Sequence, residues 1–560
     1  MLLLLACTPF HDGVVCDAGL DANNDGFCDR EVADWSTEAE LPAEGDRHNI
    51  YQLEADDLAS ATEEGLALAA VWPVDVSGLM LPADSFEYLF AEEPANAEVQ
   101  SFQAVARQLM GFGTLSEMMA WIGVPSFPDD GSVPIPEGLE PGDPMGYGRV
   151  NTEFGEAVTF SCYACHATDF YGTTIVGMTN PRTRANEFFT LAQTFFPGFT
   201  PDAYEGLTGA TEEQMELYVR TQGHLPAIGG KVPQVRGLDT SLAQVGLSLA
   251  RRGTDPWATP DASLEENPAE SMLEDYVADS KPAVWWNLRY KTRWLSDGSI
   301  VSGNPIFTNF LWNELGRGTD LRELDSWMSA NGRAMDVLTV AVFNTPAPRW
   351  TDVFPQYPID EAKAIQGQAL FESYCATCHG SYEKGWEAAD ASALSVEERL
   401  ATVRLNYSAQ TRVLEVGTDG QRAAGMADFS EKLNALAISQ RMNTVVEVQL
   451  GYVPPPLDAV WARFPYLHNA SVPSLCALLS PQEERPAGFW VGPPNDPATD
   501  FDPTCVGLPT EAPEAWTQVP EAWHDTTIPG LGNQGHTQML SAEVLDPAGK
   551  AAIIEFLKTL

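Results

Sequence analysis

Positive charge is scarce in this sequence. Its 560 residues include 31 lysines and arginines against 79 aspartates and glutamates, and the formal net charge at pH 7 is −48. Such a chain repels polyanions, which argues against nucleic acid or an anionic surface as a partner. The acidic residues are spread along the chain. This leaves two interpretations open: a solubilising surface, or an acidic docking face for a small basic redox protein.

Long hydrophobic runs are also absent, and no stretch of 18 apolar residues could cross a membrane as a helix. The first seven residues, MLLLLAC, resemble the end of a bacterial lipoprotein signal without its basic start. We therefore expect an upstream start and a lipid anchor on Cys7. The protein would then be a periplasmic or outer-membrane lipoprotein of the cell envelope, surface-exposed in one version of this hypothesis. The alternative is a fortuitous leucine run.

Histidine and cysteine are few, with eight and nine residues respectively. Four of the cysteines lie in two pentapeptides, CYACH at 162–166 and CATCH at 375–379. The C-x-x-C-H pattern is typical of c-type haem attachment, because two thiols on one helical turn can add to the haem vinyl groups while the histidine faces the iron. A zinc site is disfavoured, since no further CxxC pair exists. The sequence predicts two covalently bound haem c groups, held by Cys162, Cys165, His166 and by Cys375, Cys378, His379.

The remaining cysteines indicate an oxidising compartment. Cys16 and Cys28 bracket a short acidic loop, and Cys476 and Cys505 bracket a proline-rich insertion. Both pairs are candidate disulfides, and with Cys7 lipidated no odd thiol is left.

A calcium site is one interpretation of the segment DANNDGFCD at 21–29. Its oxygen side chains and Gly26 resemble the calcium loops of thrombospondin-type repeats, and Ca²⁺ prefers such oxygen clusters. The closing glutamate of an EF-hand is absent, and a plain acidic loop is the alternative. The candidate ligands are Asp21, Asn23, Asp25 and Asp29.

Three regions are expected along the chain: an N-terminal tether at 1–45, a first haem domain at 46–355 and a second haem domain at 356–560. One predicted helix leads into CATCH, with Ile365, Ala369, Leu370 and Tyr374 near one face. Another closes the chain, with Asp546 as its N-cap, Pro547 in its first turn, and an apolar stripe of Ile553, Ile554, Leu557 and Leu560. These two helices resemble the crossed terminal helices of cytochrome c domains. The predicted fold class is mainly α, with long irregular loops and two cytochrome c-like haem domains.

A family resemblance rests on several segments. FPYLHNASVPSL, at 464–475, resembles the PY-x-HNGS-x-x-L segment of bacterial di-haem cytochrome c peroxidases. The resemblance is specific over about 355–560, weaker over 150–320, and not visible before 140. Further segments resemble the branch of that superfamily that contains the haem rubber oxygenases: KPAVWW (281–286), ERPAGFWVG (484–492), TTIPGLGNQGH (526–536) and IIEFLKTL (553–560).

This resemblance implies roles for particular residues. The first haem would be catalytic, and the second would be a relay held by His379 and His536 as an axial pair. The alternative for His536 is an ordinary loop histidine. His468 would support the second haem. Trp286, or else Trp285, would lie between the haems, whereas a core tryptophan pair is the alternative.

The distal pocket of the first haem has two candidate sets. Rubber oxygenases place a bulky phenylalanine there, and Phe307 or Phe310 would correspond. Peroxidases place polar acid–base groups there, because O–O heterolysis needs a proton shuttle. Gln222 and His224 would then correspond. If His224 ligates the first iron, the protein becomes a bis-histidine carrier or a resting peroxidase.

The sequence thus favours an exported di-haem oxidoreductase. Its first haem would react with O₂ or H₂O₂, on an apolar substrate such as polyisoprene in the oxygenase case, and its second haem would transfer electrons with a small redox protein. One alternative is a non-enzymatic electron carrier with both haems six-coordinate. The other is a structural or sensory lipoprotein braced by haem.

Overall fold

A computed structural model describes residues 47–265, 269–301, 304–442, 444–536 and 545–560. Several sequence predictions fall outside these ranges and stay predictions: the tether, the lipid anchor on Cys7, the pair Cys16 and Cys28, and the calcium ligands Asp21, Asn23, Asp25 and Asp29.

Helices make up most of the regular structure. Before residue 355 they are α1 (Ala55–Val71), α2 (Ala83–Leu89), α3 (Ala97–Met110), α4 (Leu115–Ile122), α5 (Tyr163–His166), α6 (Ala185–Phe195), α7 (Pro201–Thr208), α8 (Glu212–His224), α9 (Ser241–Arg251), α10 (Ala262–Glu265), α11 (Pro305–Gly316), α12 (Leu321–Ala330), α13 (Gly332–Asn344) and α14 (Trp350–Val353). After it they are α15 (Glu361–Tyr374), α16 (Ala376–His379), α17 (Val396–Leu400), α18 (Gln421–Gly425), α19 (Ser430–Ala435), α20 (Ala437–Arg441), α21 (Leu475–Leu478) and α22 (Pro547–Leu557). Within the described ranges, none of them combines the length and apolar character that a membrane crossing requires.

The strands are short and form small antiparallel sheets. A three-stranded sheet has the order β1-β3-β2, and the other strands pair as hairpins β4-β5 or as pairs β6-β7 and β8-β9. The mainly α prediction is therefore supported in its coarse form. The strands are β1 (Leu81–Pro82), β2 (Tyr147–Thr152), β3 (Gly155–Phe160), β4 (Ala167–Phe170), β5 (Thr173–Val176), β6 (Ser381–Lys384), β7 (Thr402–Asn406), β8 (Gly488–Trp490) and β9 (Trp523–Asp525).

Helices α15 and α22 cross in close contact, as the sequence predicts. An ideal Cβ built on Gly367 would lie 1.9 Å from the Ala552 carbonyl oxygen, so only a glycine allows this approach. The rings of Phe371 and Phe556 pack beside the crossing, with centroids 5.1 Å apart. This helix pair fixes the entry of the chain into CATCH.

The structure confirms the predicted apolar stripe of α22 and contradicts the predicted apolar face of α15. The stripe on α22 is buried, and Asp546 accepts a hydrogen bond from Gly549 N at 2.7 Å as its N-cap. The predicted apolar face of α15 is wrong, because Ile365 is 43% exposed. The close approach at the glycine instead turns another face inward, formed by Ala364, Gly367, Gln368 and Phe371.

Two large hydrophobic cores organise the described residues. The first core surrounds CYACH, and the second surrounds the crossing of α15 and α22. Neither follows the predicted boundary at 355/356, since Phe429 belongs to the first core and Phe170 to the second. The domain boundaries stay predictions. The predicted disulfide between Cys476 and Cys505 is present.

Candidate haem centres

The CYACH pentapeptide forms one helical turn between two strands. Strand β3 delivers the chain to α5, and β4 follows at once. The turn is anchored on α1, because Cys162 N donates to Ala69 O at 3.1 Å. His166 N donates to Cys162 O at 3.0 Å, so the motif's thiols and imidazole share one turn. Burial raises the pKa of both thiols, Cys162 and Cys165, to about 12.

The His166 ring is held against an indole. Its centroid lies 5.5 Å from that of Trp285. Burial lowers the pKa of His166 to about 4, a shift that the backbone carbonyl of Ala283 partly opposes. The imidazole is therefore neutral near pH 7, which is the form that binds a metal.

The CATCH pentapeptide is a second such turn, at the end of α15. His379 N donates to Cys375 O at 3.0 Å, and the His379 Nδ1 donates to Pro455 O at 2.7 Å. Metal-binding histidines commonly use the second ring nitrogen in this way, which leaves Nε2 for the metal. Burial lowers the pKa of His379 and raises that of the Cys375 thiol to about 12.

The structure brings His536 opposite His379. Their ring centroids are 6.2 Å apart. A metal–imidazole bond is about 2 Å long and the ring centre lies roughly 1 Å beyond the nitrogen, so two imidazoles on one metal have centroids about 6 Å apart. Burial, followed by the nearby His379 and Arg485, lowers the pKa of His536 to about 4. The spacing thus suits one metal ion between the two rings.

His468 lies beside the two segments whose carbonyls accept from His536 N and from His379 Nδ1. Its ring stacks on Tyr452 at 4.1 Å. Tyr452 pairs with Leu414, two residues before Val416, whose carbonyl accepts from His536 N. Tyr452 also precedes Pro455 by three residues, and the Pro455 carbonyl accepts from His379. Burial, Arg422 and Lys281 lower the pKa of His468 to about 3. Its Nε2 is buried without a hydrogen-bond partner among the described residues.

Two adjacent tryptophans connect the two centres. Trp285 belongs to the first core and contacts His166, whereas Trp286 belongs to the second core and is fully buried. Trp286 Nε1 donates to Asp458 O at 3.0 Å. Three residues before Asp458 lies Pro455, which accepts from His379. The pair therefore spans the space between CYACH and CATCH.

Phe307 and Phe310 lie one turn apart on α11, and both are buried in the core that surrounds CYACH. Phe310 meets Trp72 and Trp327 edge-to-face, at 5.4 and 5.5 Å. These ring contacts make an apolar wall within the core that surrounds CYACH.

A buried polar group on the same helix was missed from the sequence. Glu314 is fully buried and accepts hydrogen bonds from Ser77 Oγ at 2.7 Å and Trp72 Nε1 at 3.2 Å. Arg317 stacks 4.1 Å over Trp72 and donates to Phe160 O at the end of β3. The available signal was an acid near the end of an apolar helix, followed by a base at its C-cap. Their partners are distant in sequence, so the signal could not identify them.

Gln222 and His224 are engaged elsewhere. Gln222 Nε2 donates to Phe199 O at 2.7 Å, and His224 Nδ1 lies 2.9 Å from Gly318 O. Neither side chain has a hydrogen bond or ring contact with the CYACH turn among the described residues. Both residues lie in the last turn of α8, where their side chains meet backbone carbonyls of neighbouring segments. Their place in the distal pocket stays a prediction.

Comparison with known proteins places cytochrome c sequences in the C-terminal region. Residues 451–491 match the family described as RoxA-like, cytochrome c-like, and residues 362–438 match cytochrome C oxidase, cbb3-type, subunit III. These matches indicate cytochrome c domains, which carry covalently bound haem c.

Two relatives come from Sinorhizobium fredii. Uncharacterized protein y4iJ is 30% identical in an alignment of 262 residues, with 38% of this chain and 41% of that protein covered. Uncharacterized protein y4iM is 30% identical in an alignment of 178 residues, with 27% of this chain and 34% of that protein covered. The chain thus matches less than half the length of either relative.

The residues present fit haem c. The thiols of both pentapeptides are unpaired, whereas Cys476 and Cys505 form a disulfide. His379 has its Nδ1 committed and its Nε2 free, opposite a second imidazole. In its C-terminal region, over residues 451–491, this chain is similar to the RoxA-like cytochrome c family.

Proposed function

We propose that this protein is an exported di-haem c-type oxidoreductase. The haem on CYACH is the reactive one, and the haem on CATCH relays electrons. One asymmetry carries the proposal: His379 faces His536 at 6.2 Å, whereas the ring contact of His166 among the described residues is Trp285. Two strong axial ligands make an electron carrier, while a vacant axial position allows O₂ or peroxide to bind.

When bound, the haem on CYACH supplies the redox chemistry and the site at which O₂ or peroxide reacts. The chain supplies the surroundings. Phe307 and Phe310 on α11 are buried in the core around CYACH and would keep water out of the site, and the buried neutral His166 would hold the haem iron. The apolar rings of this wall favour oxidative cleavage of an apolar substrate by O₂, as in the rubber oxygenases that the sequence resembles.

Peroxidase chemistry is the second candidate, and Glu314 is the observation in its favour. This buried carboxyl lies one turn beyond Phe310 on the same helix. A carboxyl group can hold or deliver a proton during O–O cleavage. Its bonds to Ser77 and Trp72 engage it in the ground state, which is why we rank this chemistry second.

Trp285 and Trp286 provide the route between the centres. The first indole packs on His166, and the second is hydrogen-bonded to the segment whose Pro455 carbonyl holds His379. Each step is a covalent bond, a hydrogen bond or a ring contact. Electrons would enter or leave through the CATCH haem.

The disulfide supports export, and the net charge supports a basic redox partner. A disulfide between Cys476 and Cys505 is typical of an oxidising compartment, and it supports the cell envelope as the location. A net charge of −48 favours a small basic redox protein as the electron partner.

Spectroscopy of the purified holoprotein tests this proposal. We expect one high-spin haem that binds CO after reduction and one low-spin haem that does not. Two low-spin haems without CO binding would instead make the protein an electron carrier. Products from polyisoprene under O₂, compared with H₂O₂-dependent oxidation of a reduced cytochrome, separate the two chemistries.

A further inference from the structure

The loop that carries His536 is irregular, yet its backbone is tightly specified. Residues 530–536, GLGNQGH, form no helix or strand. His536 has a φ of +59° and Gly535 a φ of +86°. A positive φ is uncommon for histidine and persists only where neighbouring contacts enforce it. Side chains from outside the loop enforce this backbone conformation.

Asp419 is the first of them. It is 4% exposed, and its Oδ2 accepts hydrogen bonds from Gly530 N at 2.9 Å and Gly532 N at 3.3 Å. Its Oδ1 accepts from Gln421 N, at the first residue of α18, at 3.0 Å. Main-chain N–H donors to a carboxylate are among the strong hydrogen bonds in proteins. One buried carboxylate therefore ties the start of the loop to the segment 414–421.

Asn469 and Arg485 hold the same loop through its carbonyls. Asn469 Nδ2 donates to Gly530 O at 3.1 Å and to Gly532 O at 3.0 Å. Arg485 Nη1 donates to Gly535 O at 3.0 Å and also to Asn533 O. Arg485 is itself fixed, because its Nε donates to Ala477 O at 3.2 Å. Donors and acceptors of the loop are thus both satisfied from outside it.

The ligand residue is attached last. His536 N donates to Val416 O at 2.9 Å, on the segment that Asp419 anchors. An ideal Cβ on Gly535 would lie 2.3 Å from Thr418 N, so the loop lies directly on this segment. The imidazole is consequently placed opposite His379 by contacts that do not involve the metal.

We propose that Asp419, Asn469 and Arg485 are positioning residues that preset His536 as the sixth ligand of the CATCH haem. This inference rests on the proposed ligation by His536. It adds that the ligation is built into the fold and is not a ligand switch, because the loop cannot move away without breaking the anchoring hydrogen bonds. A preset ligand resists replacement by small molecules and keeps the relay in one coordination state.

Asp419→Asn tests the clamp with little change of shape. The substituted amide presents an N–H₂ to one side of a carboxylate that accepts from N–H donors on both sides, so at least one bond is replaced by a donor–donor contact. We expect the reduced CATCH haem of this variant to bind CO at least about 10-fold more than the trace that the low-spin wild-type haem takes up, because groups that orient metal ligands change affinity at metal sites by about this factor. Arg485→Lys keeps the positive charge but loses the planar guanidinium, whose several donors bond the loop carbonyls together. It should also increase CO binding at the CATCH haem.

Asp525→Asn is the matched control. Asp525 precedes the loop by five residues, and its Oδ1 accepts from Thr527 N at 2.9 Å. Among the described residues, its side chain makes no hydrogen bond with residues 530–536. It should leave CO binding unchanged. The spectrum of the CYACH haem, recorded in the same samples, reports whether each variant is folded.

The outcomes separate the two proposals. If His536→Ala leaves the CATCH haem low-spin, ligation by His536 is wrong. If His536→Ala converts it to a high-spin, CO-binding haem but folded Asp419→Asn and Arg485→Lys behave as wild type, ligation stands and the clamp is overturned.

Discussion

Trp285 and His166 are fixed against each other by a single residue, Gly177. Gly177 N donates to His166 O at 2.7 Å, and Gly177 O accepts from Trp285 N at 2.9 Å. An ideal Cβ at this glycine would lie 2.7 Å from the Thr345 side chain and 3.1 Å from Trp285 Cβ. His166, the proposed ligand of the first haem, is therefore positioned through the backbone against the indole of Trp285.

Trp286→Phe should slow electron transfer between the haems severalfold. The substitution removes the bond from Nε1 to Asp458 O while keeping an aromatic ring in the second core. Stopped-flow reduction, followed separately at the low-spin and high-spin haem bands, measures the rate. Trp490→Phe, at a partly exposed tryptophan of β8, is the control and should leave the rate unchanged. Equal rates in all three proteins would contradict this route.

His536→Ala should convert the CATCH haem from low-spin to high-spin and let it bind CO after reduction. The reason is that the facing imidazole is then missing. Electron paramagnetic resonance and CO difference spectra check this. His224→Ala should change neither haem, because its imidazole bonds to Gly318 O. A spin change at the CYACH haem in that variant would restore His224 as a distal ligand.

Gly367→Ala should destabilise the second haem domain by about 1–3 kcal/mol, the usual cost of overpacking. The added methyl group would meet Ala552 O at the crossing of α15 and α22. Urea unfolding of the holoprotein measures the loss. Gly206→Ala, on α7 with open space around it, should be neutral or stabilise slightly. A wild-type unfolding midpoint for Gly367→Ala would show that the helices can separate freely.

The stability should depend on pH through His224. Burial, followed by Arg220, lowers its pKa to about 3. Between pH 6.5 and 3 the unfolded chain binds this proton while the native state does not, so the free energy of unfolding falls as the pH falls through this window. Its contribution at pH 4 is a loss of about 3 kcal/mol relative to pH 7.

Urea unfolding at pH 7, 5.5 and 4 should therefore show a shallower pH dependence for His224→Gln than for the wild type. The exposed His48 provides the comparison, and His48→Gln should keep the wild-type dependence. Parallel curves for all three proteins would rule out a buried neutral His224.

Local patterns sufficed for part of this molecule. The pentapeptides CYACH and CATCH carry their chemistry within five residues, because a helical turn alone groups two thiols and an imidazole. The cap at Asp546 and the apolar stripe of α22 are likewise local. The apolar face of α15 could not be obtained in this way, since it depends on a carbonyl of Ala552 that approaches Gly367.

The sequence by itself thus determined where covalent haem attachment is expected, the helical character of the chain, and the resemblance that singled out His536. Only the tertiary structure decided which groups surround each histidine and at what distance. It placed His536 against His379 and Trp285 against His166, and it directed Gln222 and His224 to other partners. The physical reason is that ligands and supporting groups such as Asp419 and Arg485 meet across long sequence separations, where contacts depend on packing and not on local periodicity.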